Sequence, residues 1–358
     1  MFRVPLQCLL IILLVTVGHA RAAVILQYHH VSDNTPASTS ISPKLFETHL
    51  SYLEEQGFSV WPLPRLVSHL KDKQVIPDKV VVITFDDAYD SIYRVAYPML
   101  KQRNWPFTVF VAPQPIEQKL SSFMTWPQLL EMQQSGATIA NHSYAHAHFV
   151  RRHEQETESE WLTRISEDIE KAQRILTRNL GDLPKLLAYP YGEYTPKLAE
   201  HIDSLGFVAF GQQSGAVSSM HVLTELPRFP MTNYFGEMSQ FKAKVASLPL
   251  APKSVSPDLM MLDKQSQPES LRIELYPQAL HEQQISCYFS GKGRVPAQIS
   301  RNKEAIVINI AQLPSMQPGR SRLNCTAPSS DPAYNGRFHW FSTFWMRKKN
   351  DGNWYEEE

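Results

Sequence analysis

Net charge, cysteine and long apolar runs are all scarce in this chain, and each shortage narrows what it can be. With 35 basic and 35 acidic residues the formal charge is zero, so there is no electrostatic footprint for nucleic acid. The longest apolar run, Leu9 to Val17, is too short to span a bilayer comfortably. It sits in a leader-like stretch, residues 1–22, with Arg3 as the only early charge and Ala20-Arg21-Ala22 in the small-x-small form of a signal-peptidase site; an uncleaved anchor is the alternative. Cleavage there removes two of the 35 basic residues and none of the acidic ones, leaving a net charge near −2 and no membrane span. It also removes Cys8, one of only three cysteines. Cys287 and Cys325 then form an even pair in an exported, oxidising compartment (periplasm, cell surface or outside the cell), where a disulfide is expected and two inert buried thiols are the alternative. Internal repeats and low-complexity tracts are absent too, while 43% hydrophobic residues over 358 positions can fill one large core or two ordinary ones.

What the chain does have is alternation. From Val24 to about Leu248, short apolar runs read as strands: VILQY (24–28), VVVITF (80–85), FTVFV (107–111), TIAN (138–141), LLAYP (186–190) and FVAFG (207–211). Helix-length amphipathic stretches lie between them, one opened by Ser42 and Pro43 and stopped by Gly57, another running through TESEWLTRISEDIEKAQRILTRNL to Gly181. This pattern predicts parallel strands with crossover helices, in a (β/α) barrel or an open doubly wound sheet, over residues 23–250. Residues 251–263 read as a Pro- and Ser-rich connector. Residues 264–358 alternate as antiparallel strands (LRIELYP, QISCYFS, AIVINIA, RFHWFSTFWMRK) and predict a small all-β sandwich domain pinned by Cys287 and Cys325.

Three polar clusters follow predicted strands directly: Asp86-Asp87, the stretch His142 to His148, and Tyr191-Gly192. In a parallel barrel that is one rim, the face where loops build active sites. Two adjacent carboxylates at the end of a buried strand, with no basic residue nearby in sequence, require a cation, a proton or water. His142 and His146, four residues apart, can join one of the carboxylates in a two-imidazole, one-carboxylate metal site with open positions.

The chain resembles the polysaccharide deacetylase family, the carbohydrate esterases of family 4 that share the NodB homology domain, over about Val24 to Leu248. Thr84-Phe85-Asp86-Asp87 matches the family's Thr-Phe-Asp-Asp-Gly motif with Ala88 in the glycine place, and His142-Ser143-x-x-His146 matches His-Ser-x-x-His. The resemblance implies a distorted NodB-type (β/α) barrel. It also implies that Asp87, His142 and His146 hold a divalent metal, usually zinc, with nickel, cobalt or iron as alternatives, and that Asp86 is the catalytic base. The family's Arg-x-Pro-Tyr-Gly survives as Ala188-Tyr189-Pro190-Tyr191-Gly192, implying that Pro190 and Tyr191 face substrate and that the Tyr191 backbone N–H stabilises the oxyanion. His29, at the end of the first strand, and Trp126, at a helix start, are further candidates for substrate contact; a structural histidine and a packing tryptophan are the alternatives.

Departures from the family pattern stand beside the matches. Ala188 replaces an arginine that orients the base, no fourth motif is evident in GQQSGAV, and Leu226-Pro227-Arg228 puts an arginine where Leu-x-His supplies a histidine acid. Arginine cannot act as a general acid near neutral pH. The two losses together lead to the expectation that the guanidinium has moved, so that Arg228 now holds Asp86 ionised by a charge-assisted hydrogen bond. The forms AYPYGEY, LPRFP and LQYHHVS resemble the branch that deacetylates exopolysaccharide such as poly-β-1,6-N-acetylglucosamine. The function that follows is an exported, monomeric, metal-dependent N-deacetylase of an N-acetylated polysaccharide. Two other classes use the same residues: a non-haem iron enzyme on the same triad, which gives the second aspartate no job, and a catalytically weak glycan-binding protein.

Overall fold

The computed structural model describes residues 22–263 and 266–356. All of the leader read at residues 1–22 except Ala22 lies outside the described residues, and so does Cys8. Eight parallel strands make the first sheet: β1 (Ala23–Tyr28), β2 (Ser59–Val60), β3 (Val80–Phe85), β4 (Thr108–Val111), β5 (Thr138–Asn141), β6 (Leu186–Ala188), β7 (Val208–Phe210) and β8 (Phe229–Pro230). Their order is β8-β1-β3-β4-β5-β6-β7, with β2 on the first residues of β3. Both β1 and β3 are buried at every position, as expected of strands covered on both faces by crossover helices.

The sheet curls into a half-barrel, and one segment spans the gap between its edges. Gly211 N–H donates to the Leu226 carbonyl (3.0 Å), Leu226 N–H to the Ala209 carbonyl (3.1 Å), and directly after Arg228 the chain joins β1, with Phe229 in register with Leu26. Arg228 therefore stands between β7 and β1, at the closure of the barrel.

The helices begin and end where their residues dictate. In α1 (Pro43–Glu55) the Ser42 hydroxyl caps Leu45 N–H, and Gly57 follows the last turn at a φ of 68° that costs glycine little. α2 (Leu63–Lys71), α3 (Tyr97–Gln102), α4 (Pro113–Glu117) and α5 (Trp126–Gln134) follow. The long α6 (Glu158–Leu180) opens on a reciprocal capping box between Thr157 and Glu160. It buries Trp161, Ile165, Ile169, Ala172 and Leu176 along one stripe. α7 (Pro196–Ser204) and α8 (Met238–Val245) complete the set.

The C-terminal region is β-rich, and its helical turns among the described residues are short 3₁₀ pieces. Its strands are β9 (Leu248–Pro249), β10 (Pro252–Ser256), β11 (Met261–Leu262), β12 (Leu271–Leu275), β13 (Ser286–Phe289), β14 (Gly293–Val295), β15 (Gln298–Arg301), β16 (Ile306–Ile310), β17 (Gly319–Pro328) and β18 (Phe338–Arg347). One sheet runs β9-β18-β17-β13-β14 with β11 on β18, and the other β10-β12-β16-β15. Ile273 and Ile308 of the second sheet share a buried cluster with Cys287, Leu323 and Phe341 of the first. Cys287 and Cys325 face each other across β13 and β17 and are bonded.

The connector expected at residues 251–263 is corrected here: β10 pairs antiparallel with β12, and β11 pairs with Met346 and Arg347 of β18. Its prolines are tolerated because an edge strand need not donate every N–H. Strand β17 escaped the sequence reading because its inward positions, Ser321, Leu323, Cys325 and Ala327, are mostly small or polar. The two parts of the chain are packed together, with Trp340 edge-on to Phe229 (5.2 Å) and Phe344 edge-on to Tyr194 (5.4 Å).

Candidate metal centre

β3 ends by sending two aspartates different ways. Asp86 N–H still donates to the Tyr28 carbonyl of β1 (2.9 Å), so Asp86 keeps strand geometry, whereas Asp87 and Ala88 turn into the left-handed region at φ 73° and 60°. That turn explains why glycine suits the position of Ala88: a Cβ there is strained. The two carboxylates consequently face different partners.

Asp86 is fully buried and held by a guanidinium fork. Arg228 Nη1 donates to its Oδ1 (2.7 Å) and Nη2 to its Oδ2 (2.8 Å), while the Gln27 amide donates to Oδ2 at 2.6 Å. Arg228 is itself buried, with Nε on the Gly211 carbonyl (2.9 Å) and the guanidinium 5.3 Å from the Phe110 ring centre. Burial by itself would raise the Asp86 carboxyl, but the Arg228 charge and hydrogen bonds outweigh it and keep the group below its usual range.

Asp87 faces the histidines. Its Oδ1 lies 3.4 Å from His142 Nε2 and 3.3 Å from His146 Nε2. His142 follows β5, where its N–H pairs with the Val111 carbonyl, and its Nδ1–H donates to the Ala188 carbonyl of β6 (2.8 Å). That bond fixes the tautomer and leaves Nε2 as a lone-pair donor toward Asp87. Ser143 turns the chain at φ 63° and its hydroxyl accepts from His146 N–H (2.8 Å), bringing the second imidazole back over the first, ring centres 4.7 Å apart. The carboxylate oxygen and the two imidazole nitrogens lie within 4.8 Å of one another. Burial would raise the Asp87 carboxyl as well, yet the neighbouring imidazoles carry it far below its usual range, while burial pulls His146 down to about 4. Two imidazole nitrogens and an ionised carboxylate fit a divalent cation, zinc included.

The third cluster closes over the same rim. Tyr191 follows β6 in a 3₁₀ turn, Pro190–Gly192, at φ 58° and ψ 5°. Its ring lies 4.5 Å from His146 and stacks flat on His148 at 3.7 Å. Pro190, in the same turn, is buried. His29, half-buried at the end of β1, is close enough to Asp86 and Asp87 to add to the lowering of both carboxyls. Trp126 stands apart from this group: it opens α5 and packs half-buried on the barrel core, the role of a packing residue.

Several residues at the rim escaped the sequence reading. Gln27 carried a signal, as the polar residue inside an otherwise apolar strand. Tyr89 stacks on His30 at 3.6 Å. Glu193, fully buried, accepts from His148 Nδ1 at 2.8 Å, and nothing in its spacing pointed to that.

Comparison with known proteins agrees with this geometry. Residues 73–210, which contain Asp86, Asp87, His142, His146 and the Tyr191 turn, match the family model described as polysaccharide deacetylase. The Bacillus subtilis (strain 168) protein YxkH, which carries that family's name, is 27% identical over 184 residues, covering 51% of this chain and 61% of YxkH. The poly-β-1,6-N-acetyl-D-glucosamine N-deacetylase of Escherichia coli (strain K12) is 24% identical over 247 residues, 59% of this chain and 36% of that protein. The chain thus spans less than two thirds of either relative. Among solved structures, IcaB from Ammonifex degensii aligns with a TM-score of 0.54 at 27% identity, covering 63% of this chain and 97% of that one. The half-barrel and its motifs thus agree with a polysaccharide deacetylase domain at residues 73–210 of this chain.

Proposed function

We propose that this protein is an exported, metal-dependent N-deacetylase that hydrolyses acetamide groups of an N-acetylglucosamine polysaccharide, poly-β-1,6-N-acetylglucosamine in particular. The observation that carries the reading is the pairing of two differently equipped aspartates: Asp87 against two imidazoles and Asp86 in the grip of Arg228. In this reading Asp87, His142 and His146 hold the metal, zinc first. When bound, such a cation supplies Lewis-acid chemistry, acidifying water and polarising a carbonyl.

Asp86 is the base. Each carboxylate oxygen can accept more than one hydrogen bond, so Asp86 keeps acceptor capacity beside Arg228 and Gln27. Sealed from bulk solvent, it acts only on a water already in the site. Asp86 takes that water's proton as the oxygen attacks the acetamide carbon, and the Tyr191 backbone N–H donates to the oxyanion. The C–N bond then breaks, acetate forms, and the amine leaves with a proton from Asp86 or from His29. Arg228 keeps Asp86 ionised and aligned, Pro190 and Tyr191 shape the acetyl end of the site, and His29 lines the rim.

The relatives named for poly-β-1,6-N-acetyl-D-glucosamine support the choice of glycan. The leader read at residues 1–22 and the Cys287–Cys325 bond support export to the periplasm, cell surface or medium. No helix among the described residues is long and apolar enough to cross a membrane. The two C-terminal sheets form, in this reading, a sandwich that accompanies the catalytic domain in a monomer. The test is acetate release by the full chain from β-1,4- and β-1,6-linked N-acetylglucosamine oligomers, before and after chelation and on return of zinc, nickel, cobalt or iron. Release from β-1,6 oligomers that stops on chelation is the expected result. Metal bound without release from any oligomer would overturn the reading in favour of a glycan-binding protein.

A further inference from the structure

We propose that the C-terminal β-rich region holds the Tyr191 turn in its working shape through Arg320 and Tyr355, which makes both of them positioning residues; the inference rests on the deacetylase reading above. The turn needs support from outside. Tyr191 at φ 58° and Gly192 at φ 68° are consecutive left-handed residues, a conformation that a tyrosine keeps only where its surroundings over-determine it. Gly192 has no room to change, since a Cβ there would lie 2.3 Å from Gln212 Cγ.

Two of the supports come from residues far outside the matched domain at 73–210. Arg320, on β17, donates from Nη1 to the Tyr191 carbonyl at 2.6 Å. Tyr355, in the tail beyond β18, donates from its hydroxyl to Glu193 Oε1 at 3.1 Å. The other oxygen of that buried carboxylate takes His148 Nδ1 at 2.8 Å, and the His148 ring carries the Tyr191 ring flat upon it. The tail is docked by Arg151, whose guanidinium stands 5.1 Å from the Trp354 ring centre and 5.3 Å from that of Tyr355. The carbonyl and the side chain of one strained residue are thus fixed by two separate routes, both ending in the C-terminal region. Because the Tyr191 ring also touches His146, a shift of the turn disturbs the oxyanion donor and one imidazole together.

The test uses the metal-loaded full chain with Arg320→Ala, Arg320→Lys and Tyr355→Phe. Misplacing an oxyanion donor by a fraction of an ångström to an ångström acts on the transition state, so Arg320→Ala is expected to lower kcat by about 10- to 100-fold with KM nearly unchanged. Arg320→Lys, which keeps one N–H donor, should recover part of that loss. Tyr355→Phe keeps the ring beneath Arg151 and should lower kcat severalfold. Thermal unfolding and metal content should stay close to wild type in all three, which separates positioning from damage to the fold. Amide hydrogen exchange gives a readout independent of turnover: a peptide spanning residues 189–194 should exchange about tenfold faster in Arg320→Ala while peptides from β1 and β3 are unchanged. Unchanged kcat in an active enzyme, or unchanged exchange in that peptide, overturns the inference. A wild-type chain that releases no acetate sinks the deacetylase reading instead, and the exchange comparison still decides whether the C-terminal region fixes the turn.

Discussion

Arg228 is the sharpest place to perturb this protein, because its partner has so little else. Both side chains of the Arg228–Asp86 pair are fully buried, and the two hydrogen bonds are 2.7 and 2.8 Å. Replacing Arg228 by alanine leaves a buried carboxylate with one amide donor, that of Gln27. Removing one partner of a buried ion pair costs about 3–5 kcal/mol, because the remaining charge stays uncompensated. With an unfolding entropy of about 2.1 cal/mol/K per residue over 358 residues, about 1 kcal/mol moves Tm by about 1.3 °C, which predicts a fall of about 4–7 °C. The assay is a double-mutant cycle of Arg228→Ala, Asp86→Ala and the pair, followed by thermal and urea unfolding. Once the carboxylate has gone the guanidinium has nothing to compensate, so the double variant should be more stable than the summed losses predict, by about 2 kcal/mol or more. Kinetics add a second arm. Arg228→Lys keeps the charge but not the planar fork and should lose most activity, and Arg228→His should not raise it. Strictly additive stabilities together with unchanged kcat/KM in Arg228→Ala would refute the reasoning and make this arginine an ordinary packing residue.

The other predictions concern the metal, the base, the turn and the disulfide. Asp87→Ala, His142→Ala and His146→Ala should each lose metal by elemental analysis, and full occupancy in any one of them removes that residue from the ligand set. Asp86→Asn should keep metal and lose turnover; a fully active Asn variant assigns the base elsewhere. Gly192→Ala places a Cβ 2.7 Å from the Gln212 backbone nitrogen at φ 68°, so thermal unfolding should report a loss of about 2 kcal/mol or more, and an unchanged Tm contradicts the geometry of the turn. The Cys287–Cys325 bond closes a separation of 38 residues, which on the chain-entropy estimate stabilises by about 3–4 kcal/mol. Thiol titration of the unfolded, non-reduced mature chain should find no free thiol.

How much of this was legible in the sequence depends on what kind of atom each contact uses. Parallel strands buried on both faces leave unbroken apolar runs, so β1, β3, β4 and β5 could be read within a residue or so. Metal-ligating chemistry demands particular side chains at particular strand ends, so Asp87, His142 and His146 were visible before the fold was. Arg228 was visible as chemistry out of place: an arginine missing at Ala188 and one present where a histidine was wanted. Its partner lies 142 residues away, and only the closure of the barrel between β7 and β1 brings the two together. Gln27 carried a signal that went unused, since a polar residue in a buried strand demands a partner. The strands within residues 251–263 did not stand out, since edge pairing imposes little on composition. Arg320 lies at the far end of this scale. It acts across 129 residues on a backbone carbonyl, a group that every residue carries, so nothing at Tyr191 records that an arginine is needed there. The left-handed backbone of the turn is the trace such support leaves, and it exists only in the folded chain: a tyrosine beside Gly192 reads as an ordinary tight turn until its φ is known.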